Sequence, residues 1–362
     1  MLFSLEEKAI IWLSVFSEIT PHRKLEIIKN YKDFSVIWND DSKLRKLLSE
    51  VLTEKEVEYI IGSKKLEYMD IFLNKLEEKN IKVITFKSEF YPKLLLEIPS
   101  YPIVLYCMGD LNLLNSNCLA VVGTRRATRY GLDSTKKLVR EIALEGVTIV
   151  SGLADGIDKI AHESALDVGG KTIAVLPNGF DNIYPKSNQK LANEIAKKGL
   201  LISEYKPKEK TQKYNFPVRN RIIAGISKAT FVVEAPLKSG ALITSNYALE
   251  FNRELFALPG RFGDIYSEGC NNIIHDCQGS IVLGSDTILE FFGKKKGFQE
   301  DLAQLDLNLD ELKVYNVLRP CEKHFQEILS ETGFEIKKLN SILLQMEIKG
   351  LITRLPGNCY KI

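Results

Sequence analysis

The amino-acid sequence predicts an α/β protein, a mostly parallel sheet covered by helices on both faces, with a small all-α domain before it and a winged-helix domain after it. Three observations predict this. Across residues 118–289, short apolar runs alternate with stretches of helical periodicity, the pattern of parallel strands joined by crossover helices. Residues 4–68 are helical in period throughout, and residues 309–362 carry three helical stretches followed by a hairpin.

The N-terminal helices are read from their caps. Ser4 with Glu7 and Thr53 with Glu56 have capping-box spacing, Pro21 supplies a break, and Ile10, Ile11, Leu13 and Leu44, Leu47, Leu48, Val51 recur at helical intervals. This places a helical-hairpin domain at 1–78, a module type used for nucleic acid, for partners or for packing alone. Residues 80–108 change character: 83–86 and 104–107 read as short strands around Tyr91-Pro92 and Pro102, a connector into the main domain at 79–293.

Within that domain, strands are expected at 119–122, 148–150, 172–175, 200–203, 229–233, 255–257 and 280–282, with helices starting near Tyr130, Gly156, Asn188, Val218 and Thr244. Ligands of such sheets bind beyond the carboxyl ends of the strands, and those ends carry small or polar turns, among them Gly123-Thr124-Arg125, Ser151-Gly152-Leu153 and Ser203-Glu204.

The first turn is the most telling. A buried strand passing through Gly123 into a helix aims N–H groups and a positive helix end above the sheet edge, and Arg125, Arg126 and Arg129 there fit a polyanion. A dinucleotide site needs Gly-x-Gly-x-x-Gly, whereas Arg125 and Thr128 stand at the second and third glycine positions, so the site suits phosphates rather than NAD and no cofactor is expected.

Residues 204–228 hold seven basic residues against Glu204 and Glu209, a local balance of +5 in a chain whose net charge is only +2. Such a run is either a solvated loop or a nucleic-acid track. The interleaving of Lys213 and Arg219 with Tyr214 and Phe216 suits single strands, since cations follow the backbone while rings stack bases.

Weaker signals surround these. Asp158 and His162 share a helix face, as an acid–base pair or as structural hydrogen-bonding groups, and Gly170-Lys171-Thr172 imitates a P-loop end without its first glycine or its helix. Cys270, His275 and Cys277 in one loop give metal-ligand residue types without a second pair, so loop packing is the simpler reading. Ser239-Gly240-Ala241 is another Gly turn opening a helix.

Lys294-Lys295-Lys296-Gly297 is a solvated break before a winged-helix domain at 300–362. There Ile336, Leu339, Ile342, Leu343 and Met346 would face the core and Lys337, Lys338 and Asn340 outward, while Glu335, Glu347 and Lys349 leave groove binding and protein contacts equally open. The six cysteines, Cys321 and Cys359 included, form no Cys-x-x-Cys pair, and no signal peptide or span of about 20 apolar residues is present, so a reducing cytoplasmic setting without membrane is expected.

With these residues in place, residues 91–283 resemble the DNA-processing protein A (DprA/Smf) family. The resemblance rests on ordered motifs: Gly123-Thr124-Arg125 with Tyr130-Gly131, Ser151-Gly152-Leu153-Ala154-Asp155-Gly156-Ile157-Asp158 with Ala161-His162, Tyr184-Pro185, Ser203-Glu204, Phe216-Pro217-Val218-Arg219-Asn220-Arg221, Ser239-Gly240-Ala241 and Leu258-Pro259-Gly260. It implies an extended Rossmann-like domain that binds single-stranded DNA without catalysis, forms a homodimer and helps load a RecA-type recombinase onto incoming DNA in natural transformation. By motif, Arg125 and Lys213 would grip phosphates and Phe216 would stack or wedge at a base. Gly123, Thr124, Ser151, Gly152, Arg219, Asn220, Arg221, Ser239 and Gly240 would line the same pocket.

Two other readings compete. A Rossmann-like nucleotide or phosphoribosyl hydrolase would carry Pro-Gly-Gly-x-Gly-Thr where this chain has Leu237-Lys238-Ser239-Gly240-Ala241. A duplex regulator working through the winged helix would leave the central domain without a task.

Overall fold

In the computed structural model the chain forms two compact units, Met1–Lys296 and Gly297–Ile362. The structure describes residues 3–29, 34–38, 40–295, 307–318 and 322–361; Lys296, Gly297, Cys321 and Ile362 lie outside them.

The first unit begins with α1 (Leu5–Ser14), α2 (Pro21–Lys29), α3 (Asp41–Ser49), α4 (Glu54–Gly62) and α5 (Leu66–Glu78). Both expected capping boxes are formed, Ser4 with Glu7 and Thr53 with Glu56. The helices bury Ile10, Ile11, Leu25, Leu44 and Leu47 in one cluster with Val83, Tyr106 and Ile195, so their core is continuous with an edge of the sheet.

That sheet contains nine strands among the described residues: β1 (Lys82–Thr85), β2 (Val104–Gly109), β3 (Cys118–Val122), β4 (Thr148–Ser151), β5 (Thr172–Leu176), β6 (Leu200–Ser203), β7 (Ala229–Val232), β8 (Glu254–Ala257) and β9 (Ser280–Ile281). Their order is β1-β2-β6-β5-β4-β3-β7-β8-β9. From β6 to β9 every neighbour is parallel, while β1 and β2 join antiparallel at one edge. The stretch expected as a connector is thus part of the sheet, because β2 finds free backbone groups along β6.

Between the strands lie α6 (Arg129–Leu144), α7 (Ile157–Asp167), α8 (Gln189–Lys198), α9 (Asn215–Ile226), α10 (Gly240–Glu250) and α11 (Glu268–His275), and α12 (Ser285–Phe291) follows β9. Alternation along β3 shows both faces covered. Leu119 and Val121 pack with Leu138, Val139 and Ile288, while Cys118, Ala120 and Val122 pack with Ile222, Ile223 and Ala248.

Three local readings are corrected. Helices α9 and α10 begin at Asn215 and Gly240, earlier than Val218 and Thr244, which puts Phe216 and Gly240 on helix first turns. Pro217 suits that first turn, where its missing N–H costs nothing. The expected Cys270–Cys277 loop is largely α11, with Cys270 buried in the core and His275 exposed at the helix end.

The second unit contains α13 (Leu309–Leu318), β10 (Lys323–His324), α14 (Phe325–Thr332), α15 (Ile336–Ile348) and the hairpin β11 (Thr353–Leu355) and β12 (Cys359–Lys361), with β12 between β10 and β11. This is the winged-helix order. Leu339, Ile342, Leu343 and Met346 are buried as expected, whereas Ile336 is exposed because it opens the first turn of α15. Among the described residues no helix is long and apolar enough to cross a membrane.

Candidate nucleic-acid interface

Strand order reverses between β3 and β7: β4 to β6 continue from one side of β3 and β7 to β9 from the other. The turns leaving β3 and β7 therefore part, and the crevice between them is where open α/β sheets bind ligands. A cleft of about 350 Å³ opens there, lined by Gly123-Thr124-Arg125-Arg126 after β3, by Phe216, Pro217, Arg219 and Asn220 of α9, and by Lys238, Ser239 and Gly240 at the start of α10.

The β3 turn is pinned rather than loose. Thr124 N–H donates to the Glu234 carbonyl at 2.8 Å, and Thr124 Oγ1 accepts from Arg126 N–H at 3.2 Å. Gly156, at φ +79°, lies where a Cβ would press on the Arg125 backbone. Behind the turn, the buried Glu234 carboxylate accepts from the Thr128 N–H at 2.8 Å and from the Thr128 hydroxyl.

On this frame Arg125 is exposed, and its guanidinium carbon lies 4.8 Å from the centroid of the Phe216 ring. Cation and ring are thus held together with the cleft at their side. Among the described residues, Arg125, Arg126, Lys213 and Lys238 have no carboxylate within ion-pair distance, so their charge is free for an anion. The first turn of α10 adds a positive end: Ser239 Oγ accepts from Ala241 N–H at 3.2 Å, and the Asn220 amide donates to the Gly240 carbonyl at 3.2 Å, clipping α9 to α10.

Arg219 does something else. It is 3 % exposed and donates to the carbonyls of Gly152, at 2.8 Å, and Val175. Burial pulls its pKa down to about 10, opposed by Asp158, so it stays charged at neutral pH beneath the cleft floor. Asp158 accepts from Gly152 N–H and Ala154 N–H; burial raises its carboxyl, against the Arg219 charge.

The sequence-predicted residues thus separate. Gly123, Thr124, Arg125, Phe216, Arg219, Asn220, Ser239 and Gly240 come together in the cleft. Ser151 is buried with its hydroxyl on the Val121 carbonyl, and Gly152 is buried against Arg219. Arg221 is buried in an ion pair with Glu204, and Lys213 is exposed on the approach to α9 without lining the cleft. Asp158 and His162 have separate partners, since the His162 ring nitrogen Nδ1 bonds Thr172 at 2.6 Å.

Sequence reasoning passed over Lys238. Its signal is its place immediately before the Ser239-Gly240 turn, where a lone lysine is equally a solvated side chain.

Comparison with known proteins agrees with this architecture. Residues 82–293 match the family model described as DNA recombination-mediator protein A, and residues 299–358 match the DprA winged helix domain. Protein Smf of Synechocystis is 38% identical over 345 residues, covering 85% of this chain and 86% of that protein. DNA processing protein DprA of Streptococcus pneumoniae is 43% identical over 204 residues, 56% of this chain and 72% of that protein.

The X-ray structure of the S. pneumoniae protein superposes with a TM-score of 0.69 at 33% identity, covering 80% of this chain and 98% of that one. A DprA structure from Helicobacter pylori, described for its single-stranded DNA binding mode, gives 0.54 at 35% identity over 58% of this chain and 95% of that one. With its central domain, its winged helix and most of its length matched in this way, the chain belongs to the DNA recombination-mediator protein A (DprA/Smf) family of DNA-processing proteins.

Proposed function

We propose that this protein binds single-stranded DNA in the β3–β7 cleft, without catalysing a reaction on it, and presents the strand to a RecA-type recombinase in the recombination that follows natural transformation. The observation that carries the reading is the unpaired Arg125 guanidinium stacked over Phe216 at the mouth of a pinned phosphate turn. It joins a phosphate ligand to a base-stacking ring, which is what sequence-independent single-strand binding requires. Arg126, Lys238 and the start of α10 extend the positive wall, and the exposed Lys213 stands ready to track the backbone.

Absence of catalysis is supported by the commitments of the nearby acids. Asp158 is bonded to backbone N–H groups and Glu234 to Thr128, which occupies the groups a hydrolase would use as general base. A cytoplasmic homodimer completes the proposal, with the exposed Leu249 of α10 on the candidate dimer face.

Anisotropy titration of a labelled oligonucleotide, single-stranded and duplex, across salt concentrations tests this. Single strands should bind tighter, and Arg125→Ala and Lys213→Ala should each weaken binding and lower the salt slope by about 0.7. Unchanged binding in both variants would overturn the site; turnover of a nucleoside monophosphate would overturn the non-catalytic reading.

A further inference from the structure

Tyr184 does not itself line the β3–β7 cleft. The residue is 44% exposed, and its ring meets Phe216 with centroids 5.7 Å apart and planes 70° to one another. Its hydroxyl has no hydrogen-bond partner among the described residues, and its one ring–ring contact among them is with Phe216. The segment beneath it is firmly placed: Ile183 is buried in the core beside Phe180 and Leu176, and Asn188, 1 % exposed, donates to the Leu153 carbonyl at 3.0 Å. An exposed aromatic residue on a fixed segment, next to the cleft and edge-to-face with its stacking residue, is a preorganised apolar surface.

We infer that Tyr184 is a second base-stacking platform, so that the site holds two successive nucleotides of a single strand, one base on Phe216 and its neighbour on Tyr184. This rests on the single-strand reading of the cleft. The 70° between the rings sets the consequence. Two bases lying flat on these rings are turned from each other by the same angle, so the strand is unstacked and bent at that step, with Arg125 beside the bend to hold a phosphate. A duplex cannot make that bend while its bases stay paired, so the ring pair selects single strands by shape as well as by charge. Stacking needs only a π-face, so the second platform adds affinity without sequence preference.

Anisotropy with a labelled oligo(dT) strand tests the platform. Tyr184→Ala should weaken binding by about 5- to 150-fold, the loss expected for one stacked base, while Tyr184→Phe binds like the unaltered protein. In Tyr184→Trp, the added indole should be quenched as oligo(dT) binds. Because Tyr184 is exposed, all three variants should melt like the parent. If Tyr184→Ala binds normally while Arg125→Ala and Phe216→Ala do not, the second platform is overturned and the cleft reading stands. Equal losses in Tyr184→Ala and Tyr184→Phe would overturn stacking in favour of the hydroxyl. If none of these variants loses affinity, the cleft reading itself falls.

Discussion

Nη1 of Arg219 donates to the carbonyl oxygen of Gly152 at 2.8 Å, and a Cβ on that glycine would stand 2.5 Å from Nη2 of the same arginine. The residue expected to touch DNA is thus the strut that ties α9 to the ends of β4 and β5. Its removal leaves two carbonyls without their donor and Asp158 without its facing cation. Arg219→Ala should therefore cost on the order of 3–5 kcal/mol in urea unfolding, the penalty of breaking a buried charge cluster. Gly152→Ala should cost about 1–3 kcal/mol through overpacking against the fixed guanidinium. Normal stability with lost DNA affinity in Arg219→Ala would instead make it a DNA contact.

Arg221 gives a sharper contrast with Arg125, since the motifs place both in the DNA pocket and the fold treats them oppositely. Arg221 is 3 % exposed and paired with Glu204, whereas Arg125 is exposed and unpaired. Arg221→Ala should lose about 3–5 kcal/mol of stability, because it strands the Glu204 carboxylate, with single-strand affinity unchanged once the folded fraction is accounted for. In a double-mutant cycle with Glu204→Ala the combined loss should fall short of the sum. Additive losses would mean that the pair is not coupled.

These arginines show what the sequence could and could not reveal. The strand–turn–helix at Gly123 and the crossover pattern were legible because buried parallel strands read as continuous apolar runs and their turns need glycine. Residues 80–108 read as a connector, although 83–86 and 104–107 read as strands, because antiparallel pairing at a sheet edge has no local signature. Within 216–221, Phe216, Arg219, Asn220 and Arg221 share one helix whose apolar and basic residues face several directions, so the motif did not say which cation points to the cleft. That is decided by Glu204, Gly152 and Val175, which reach the helix from three other strand ends.

Glu234 should prove a structural acid. Its carboxylate accepts from both the N–H and the hydroxyl of Thr128, the N-cap of α6, in a buried setting. Glu234→Gln keeps the shape but replaces one acceptor oxygen with a donor and removes the charge, so chemical denaturation should show a loss of about 1.5–3 kcal/mol. An unaltered unfolding midpoint would mean that the cap does not depend on the carboxylate.

His162 sets a pH dependence. It is fully buried on α7; its Nδ1 lies 2.6 Å from the Thr172 hydroxyl, which itself donates to the Ile149 carbonyl, so Nδ1 carries the proton and the buried Nε2 is left without a partner. Burial, reinforced by the Arg219 charge, pulls its pKa down to about 3 from 6.5. Between those values the unfolded chain binds a proton that the folded chain does not. Stability from this group is therefore complete above pH 6.5 and is lost as pH falls towards 3, by about 1.4 kcal/mol per pH unit once the unfolded imidazole is protonated. In urea unfolding between pH 4 and 7, His162→Gln should show a slope against pH shallower than the parent's by close to one proton. Equal slopes would show that His162 takes up its proton in the folded state as readily as in the unfolded one.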